Sequence, residues 1–141
     1  MKQLVVGALI VDDLFAPSVV LAARRTGPPL LRGKWEFPGG KVEAGEHPED
    51  ALVRELKEEL GVEVTLGTEL LSQEGIWQIS DDLEMRLWFA VIRNGSPTPI
   101  DSHDELRWLD AGSLGSVDWL DADRQVLPSV STTLSALPGR L

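Results

Sequence analysis

An α+β chain, or an α/β/α sandwich, is the fold class this sequence predicts, and three observations predict it. Several apolar or alternating runs have strand length and are separated by turn residues. One amphipathic stretch between residues 48 and 60 carries both the start and the stop signals of a helix. The length of 141 residues, 43% of them hydrophobic, suffices for one core and not for two full domains, so residues 1–141 read as a single domain.

Lys2 to Val11 reads as a buried strand and Ser18 to Arg24 as a second, joined into a hairpin through the turn-prone Asp12-Asp13 and Pro17 region. Gly27-Pro28-Pro29 marks a loop, and Trp35-Glu36-Phe37 is a short extended piece stopped by Pro38-Gly39-Gly40. From Pro48 to Leu60 the pattern is helical: Pro stands at a first-turn position, Glu49 and Asp50 lie near the positive end, and Gly61 is the stop. Val62 to Leu71 and Glu84 to Arg93 are further strand candidates, with a polar stretch holding Gly75, Asp81 and Asp82 between them. Asn94-Gly95-Ser96-Pro97 breaks the chain; Glu105 to Leu109 then reads as a short strand and Asp110 to Leu114 as a short helix. Asp121 to Leu137 reads as a helix interrupted at Pro128.

Composition narrows the functions. Leu4 to Val11 is far shorter than the roughly 20 residues of a membrane span, and no basic-then-apolar leader precedes it, so a soluble, cytoplasmic protein with no membrane partner is expected. The chain has no cysteine and two histidines, His47 and His103, which leaves oxygen as the principal donor for any bound metal. A formal charge of −10 disfavours a grip on a nucleic acid polymer. A small phosphorylated substrate needs local cations, and Arg24, Arg25, Arg32, Lys34 and Lys41 supply a basic cluster.

The helix carries the chemistry. At roughly 100° per residue, Glu55, Glu58 and Glu59 share one arc while Leu52, Val53, Leu56 and Leu60 share another. The i,i+3 and i,i+4 acidic neighbours each cost about 0.2 to 0.5 kcal/mol. Glu58 and Glu59, in the last turn, each oppose the helix dipole by about 0.3 to 1 kcal/mol. A helix shaped for stability alone avoids this arrangement, whereas converging carboxylates suit a hard cation such as Mg²⁺ that bridges protein to phosphate.

Gly40-Lys41-Val42-Glu43-Ala44-Gly45-Glu46, followed by Arg54-Glu55-Leu56-Lys57-Glu58-Glu59-Leu60-Gly61-Val62, matches the Nudix box at every specified position. The chain thus resembles the Nudix hydrolases. Ala22-Ala23-Arg24-Arg25, Trp35-Glu36-Phe37-Pro38-Gly39-Gly40-Lys41 and Trp119-Leu120-Asp121-Ala122-Asp123 look like the branch of MutT and CTP pyrophosphohydrolases. The resemblance implies an α/β/α sandwich on a mixed sheet. It also implies a Mg²⁺-dependent enzyme, with Mn²⁺ as a substitute, that cuts a nucleoside triphosphate into monophosphate and pyrophosphate.

The resemblance further implies the roles. Glu55, Glu58 and Glu59, with the Gly39 carbonyl, correspond to metal ligands. Arg54 corresponds to the arginine that orients the glutamates, a task suited to its planar fork of donors. Glu46 matches the first box glutamate, with an auxiliary catalytic part or a loop-to-helix hydrogen bond both open. Glu55 is the first choice of general base and Glu58 the second. Relatives place an auxiliary acid shortly before the tryptophan matching Trp108; here that slot holds Ser102, flanked by Asp101, His103 and Asp104. Arg24, Arg25, Phe37, Lys41 and Asp123 are the candidate substrate contacts.

Substrate choice turns on Asp123. An ionised carboxylate only accepts, so it suits the cytosine N4 amino group and opposes guanine O6. That favours dCTP, CTP or a modified cytosine nucleotide over 8-oxo-dGTP, which stays as the alternative; Asp123 as a cap of the last helix is the structural alternative. A Nudix fold used as a non-catalytic nucleotide-binding module is the competing class, and the complete set of box glutamates speaks against it. Monomer and homodimer are both open.

Overall fold

The computed structural model describes residues 2–136. In chain order these form β1 (Gln3–Ile10), β2 (Val20–Arg25), β3 (Trp35–Glu36), β4 (Gly39–Lys41), α1 (Pro48–Leu60), β5 (Glu63–Leu70), β6 (Trp77–Ser80), β7 (Leu83–Asn94) and β8 (His103–Leu109). A 3₁₀ turn (Ala111–Ser116), α2 (Asp121–Arg124) and α3 (Leu127–Leu134) follow.

The larger sheet runs β4-β1-β7-β5, with β6 also paired to β7, and the smaller runs β3-β2-β8. β1 and β7 are parallel, from Gln3 opposite Leu83 to Ile10 opposite Ala90, while the other named pairs are antiparallel. The result is the expected mixed-sheet α+β fold. β1 reads as an unbroken apolar run because both its faces are covered. Val6, Ala8 and Ile10 pack with Leu52, Leu56 and Leu60 of α1, whereas Leu9 and Val11 pack with Trp35, Trp119 and Val130 on the side of α3. β7 repeats the alternation, with Trp88 and Ala90 toward α1 and Leu87 and Phe89 away from it.

α1 has the bounds its sequence signals predict. Pro48 opens it, Gly61 closes it at φ 70°, and the Gly61 N–H donates to the Lys57 carbonyl. Ile100 N–H donates to the Glu59 carbonyl and Thr98 N–H to that of Leu60, so orphan carbonyls at its end are satisfied. Leu52, Leu56 and Leu60 are fully buried, each worth about 1.5 to 3 kcal/mol of apolar transfer. Val53 does not share their arc in fact: it is exposed, and Ala51 takes the fourth packing position.

Four further expectations change. The β1–β2 hairpin does not form; the strands belong to different sheets, joined only by one bridge, Val11 to Val20. The Asp12 carboxylate accepts from the Ser18 N–H and hydroxyl and the Val19 N–H, turning residues 12–19 into a corner between sheets. The polar stretch before β7 contains β6, and Gly39-Gly40, read as a stop, belongs to β4. Glycine serves there because a Cβ on Gly39 would lie 1.9 Å from the Val6 carbonyl oxygen. The last helix breaks at 125–126, ahead of Pro128, which opens α3 in its first turn instead of interrupting a longer helix. Its expected end at Leu137 lies outside the described residues.

Candidate active site

The residues that matter converge where β4 passes under the C-terminal half of α1. The Glu55 carboxylate packs on Gly40, 2.3 Å from where a Cβ would stand, so the glycine makes room for the carboxylate. One residue earlier, the Gly39 N–H donates to Glu59 Oε1 at 3.3 Å. Glu55 and Glu59, one helical turn apart, thus frame the Gly39-Gly40 backbone.

Arg54 ties the acids together. Its Nε and Nη2 donate to the two oxygens of Glu46 at 2.8 and 3.0 Å, a fork-to-fork pair. Nη1 donates to Glu55 at 3.0 Å and to Glu58 at 3.3 Å, and Nη2 also reaches the Lys41 carbonyl at 3.2 Å. Glu46 in turn accepts from the Glu43 N–H at 3.1 Å, closing the loop before α1. The Arg54 hydrogen bonds hold the Glu46 carboxyl below its ordinary range, and the same contacts raise the guanidinium. Glu46 therefore makes the loop-to-helix hydrogen bond that was one of its two readings.

The other two carboxyls move the opposite way. Burial raises Glu55 despite Arg54. Glu59 is pushed up to about 8, first by burial and then by the like charges of Glu36 and Glu55. As they stand, no three acidic or histidine side chains are converged into a ligand set among the described residues. The donor chemistry nonetheless fits a hard divalent cation: the candidate ligands are all oxygen, and Glu55 and Glu59 repel one another at a place where a cation would relieve both. Glu58, its side chain 59% exposed and turned to Arg54, is the least committed of the three.

A cleft of about 400 Å³ opens beside Gly39-Gly40. Arg25, Glu36, Phe37, Lys41 and Asp123 line it, with Met85 and Leu120 among its apolar walls. Two openings of about 410 Å³ elsewhere hold none of the box residues. The residue 118–120 segment is stitched to β3, since Trp35 N–H donates to the Asp118 carbonyl and Leu120 N–H to that of Trp35. The Phe37 and Trp119 rings lie 4.7 Å apart. That stitching delivers Asp123, 4% exposed, to the cleft wall, where its Oδ2 accepts from the Phe37 N–H at 3.3 Å.

Asp123 is no helix cap: neither α2, which starts after Leu120, nor α3, which starts after Val126, has a side-chain cap, and the carboxyl turns to Phe37. Burial, reinforced by nearby Glu36, raises its pKa well above the ordinary aspartate value. The acid form therefore persists to a higher pH than in an exposed aspartate.

The basic cluster is divided. Arg25 faces the cleft, but Arg24, the next residue along the strand, points to the other face, where it pairs with Asp104 at 2.8 Å and Glu105 at 3.2 Å and covers Trp35. Lys34 pairs with Asp118 at 2.8 Å. Around the auxiliary-acid slot, Asp104 is taken by Arg24 and the Ser102 hydroxyl lies 3.5 Å from His103 Nδ1. The structure adds two residues to which the sequence assigned no role. Glu36 lines the cleft, and His103 is buried behind it. Both placements needed pairing registers: Ala23 opposite Glu36 sets Glu36 on the face of Arg25, and Arg25 opposite His103 adds the histidine.

A mixed sheet between helices, with an arginine-organised glutamate helix beside a cleft lined by Arg25 and Lys41, is an arrangement suited to an enzyme of phosphate-anhydride hydrolysis. The chain belongs to the Nudix family: the model of the NUDIX domain matches residues 1–130. It is 38% identical over 141 residues to a Mycobacterium tuberculosis protein provisionally named 8-oxo-dGTP diphosphatase 2, covering 96% of this chain and 92% of that one. It is 43% identical over 74 residues to the CTP pyrophosphohydrolase of Escherichia coli, covering 52% and 53% of the two chains. Among solved structures, the E. coli ORF135 protein superimposes with a TM-score of 0.75 at 31% identity, covering 98% of this chain and 95% of that one. A MutT from a study of the Aliivibrio salmonicida and Vibrio cholerae proteins gives 0.71 at 29%, covering 94% and 98%.

Proposed function

We propose that this Nudix hydrolase is a Mg²⁺-dependent nucleoside triphosphate pyrophosphohydrolase, acting on dCTP, CTP or a modified cytosine nucleotide in the cytoplasm. The observation that carries the reaction is the frame of Glu55 and Glu59, organised by Arg54, around Gly39-Gly40, whose backbone lines a cleft with Arg25 and Asp123. Glu55, Glu58 and Glu59, with the Gly39 carbonyl, would hold the cation. When bound, it neutralises phosphate oxygens and lowers the pKa of water.

The chain's own groups do the rest. Arg25 and Lys41 orient the phosphates. Glu55, fixed between Gly40 and Arg54, accepts the proton of the attacking water. The new P–O bond forms as the bridging P–O bond breaks, leaving monophosphate and pyrophosphate. Phe37 and Asp123 meet the base.

The base assignment rests on Asp123 as an acceptor for the cytosine amino group. A second reading is 8-oxo-dGTP, and two observations favour it. The acid form of Asp123, which burial stabilises, offers one O–H to a carbonyl such as guanine O6 while its other oxygen accepts from an N–H. The M. tuberculosis relative that carries that substrate in its name matches over nearly the whole chain. Pyrophosphate release from a panel of cytosine, guanine and 8-oxoguanine triphosphates, with Mg²⁺ and with excess EDTA, tests both parts. Turnover in EDTA would remove the glutamates from the metal role, and a leading rate on 8-oxo-dGTP would replace the cytosine assignment.

A further inference from the structure

Asp123 and His103 are the two polar or charged residues buried among the described residues. Asp123 has a place in the cleft; His103, with a side chain 0% exposed, has none in the reaction described above. Its Nε2 lies 2.7 Å from Glu36 Oε2. A carboxylate only accepts, so Nε2 carries the hydrogen and donates it. Glu36 also accepts from Arg25 Nη1, at 3.0 Å on Oε1 and 3.1 Å on Oε2. Arg25 Nε donates to the Gly27 carbonyl at 3.0 Å, and Nη2 has no hydrogen-bond partner among the described residues. The line His103–Glu36–Arg25 joins β8, β3 and β2, strands of one sheet with β2 in the middle, and ends on Arg25, which lines the cleft.

The register shows how this line is built. β2 and β8 pair Ala23 with Leu106 and Arg24 with Glu105, and unbroken pairing would then set Arg25 opposite Asp104. Instead the register shifts between Arg24 and Arg25, and Arg25 stands opposite His103. Directly opposed residues of an antiparallel pair share a face, so the extra residue, Asp104, moves His103 onto the face of Arg25. Asp104 then pairs with Arg24 on the far side.

We propose that His103 is a positioning residue that acts through Glu36 to hold the Arg25 guanidinium in the cleft, ready for the anionic or carbonyl groups of the substrate. Without the Nε2–H bond, Glu36 keeps both oxygens for Arg25 yet loses its anchor to β8, which leaves the guanidinium held by the Gly27 carbonyl against a freer Glu36. The kinetic arm of the test rests on the proposed function, through Arg25 as a substrate contact; the spectroscopic arm does not.

The spectroscopic arm uses the ¹⁵N-labelled protein without nucleotide. The chain has only two histidines, so the His103 Nε2–H resonance is assigned by difference against His47→Gln, and the Arg25 Nε–H resonance against Arg25→Lys. We expect a slowly exchanging His103 Nε2–H in the wild type, and an Arg25 Nε–H that broadens or exchanges faster in His103→Leu. His103→Gln, whose amide nitrogen reaches the place of Nε2, should restore the Arg25 signal. Absence of the His103 Nε2–H signal from the wild type, which requires no variant to fold, overturns the proposal. So does an Arg25 signal unchanged in His103→Leu.

The kinetic arm uses the triphosphate that the wild type hydrolyses fastest. His103→Leu should raise KM by about 3- to 10-fold with kcat within about twofold, as for loss of uniform binding. His103→Gln should recover most of it, and His103→Leu should add nothing in an Arg25→Ala background. Additive effects of the two substitutions overturn the proposal. If no triphosphate is hydrolysed, the proposed function fails, and the Arg25 and His103 resonances still decide this inference.

Discussion

Replacing Glu59 by glutamine isolates the electrostatic cost of the acidic frame. The carboxyl sits at about 8 in the fold against 4.5 ordinarily. At about 1.4 kcal/mol per pH unit, ionising it inside the metal-free protein costs at most on the order of 5 kcal/mol. The group is only partly buried and shares its site with the Glu55 charge, so about 2 to 4 kcal/mol is the working figure. The sign is that of an acid whose folded pKa is raised: the native state keeps its proton when the unfolded chain has already lost it. Stability of the metal-free protein therefore falls as pH rises from 4.5 to about 8, and is level above that. Urea unfolding at pH 5, 6.5 and 8 in the presence of EDTA measures it. The wild type should lose about 2 to 4 kcal/mol more than Glu59→Gln between the first and last pH. Glu55 and Asp123 are raised as well and contribute a slope to both proteins, which is why the difference and not the slope is diagnostic. Adding Mg²⁺ at pH 8 should stabilise the wild type and leave the variant nearly unmoved. Parallel curves for the two proteins would refute the reasoning.

Arg54→Lys keeps the charge but loses the fork that spans Glu46, Glu55 and Glu58; kcat should fall by at least about 10-fold in steady-state assays, with the substrate KM little changed. Gly39→Ala places a methyl 1.9 Å from the Val6 carbonyl, so chemical denaturation should show a loss of about 3 kcal/mol or more, or no folded protein at all. Asp123→Asn puts an amide at the cleft wall, and the ratio of kcat/KM for cytosine over guanine nucleotides should shift toward guanine by about 10- to 100-fold. An unchanged ratio would mean that this side chain does not read the base.

Much of this was legible because it is local. The bounds of α1 follow from Pro48 and Gly61, and the arc of Glu55, Glu58 and Glu59 from helical period alone. The box could be recognised before any coordinate, since its spacing is a property of one loop and one helix. What failed was non-local. The hairpin of β1 and β2 was the natural reading of two consecutive apolar runs, but the Asp12 carboxylate bends the connection so that each strand finds partners elsewhere. β4 looked like a breaker because glycine is one in isolation; only the approach of Val6 explains it. Glu36 and His103 lie 67 positions apart, and a register shift decides that they meet. The state of Asp123 depends on burial, which a sequence pattern does not report.

The parallel pairing of β1 with β7 has a consequence for how the chain is made. A strand buried on both faces has no solvent side to wait on, and its partner on one edge lies 80 residues further along. During synthesis the segment Val5–Val11 emerges long before Leu83–Asn94 exists, and β4 alone can cover only one of its edges. Until Leu83–Asn94 has also left the ribosome, this apolar strand is a ready template for any other extended chain. The rate of assembly should therefore be set by closure of that long loop rather than by α1, which forms from neighbours in sequence. A cell that makes this protein quickly must shield β1 or lose some of the chains to aggregation.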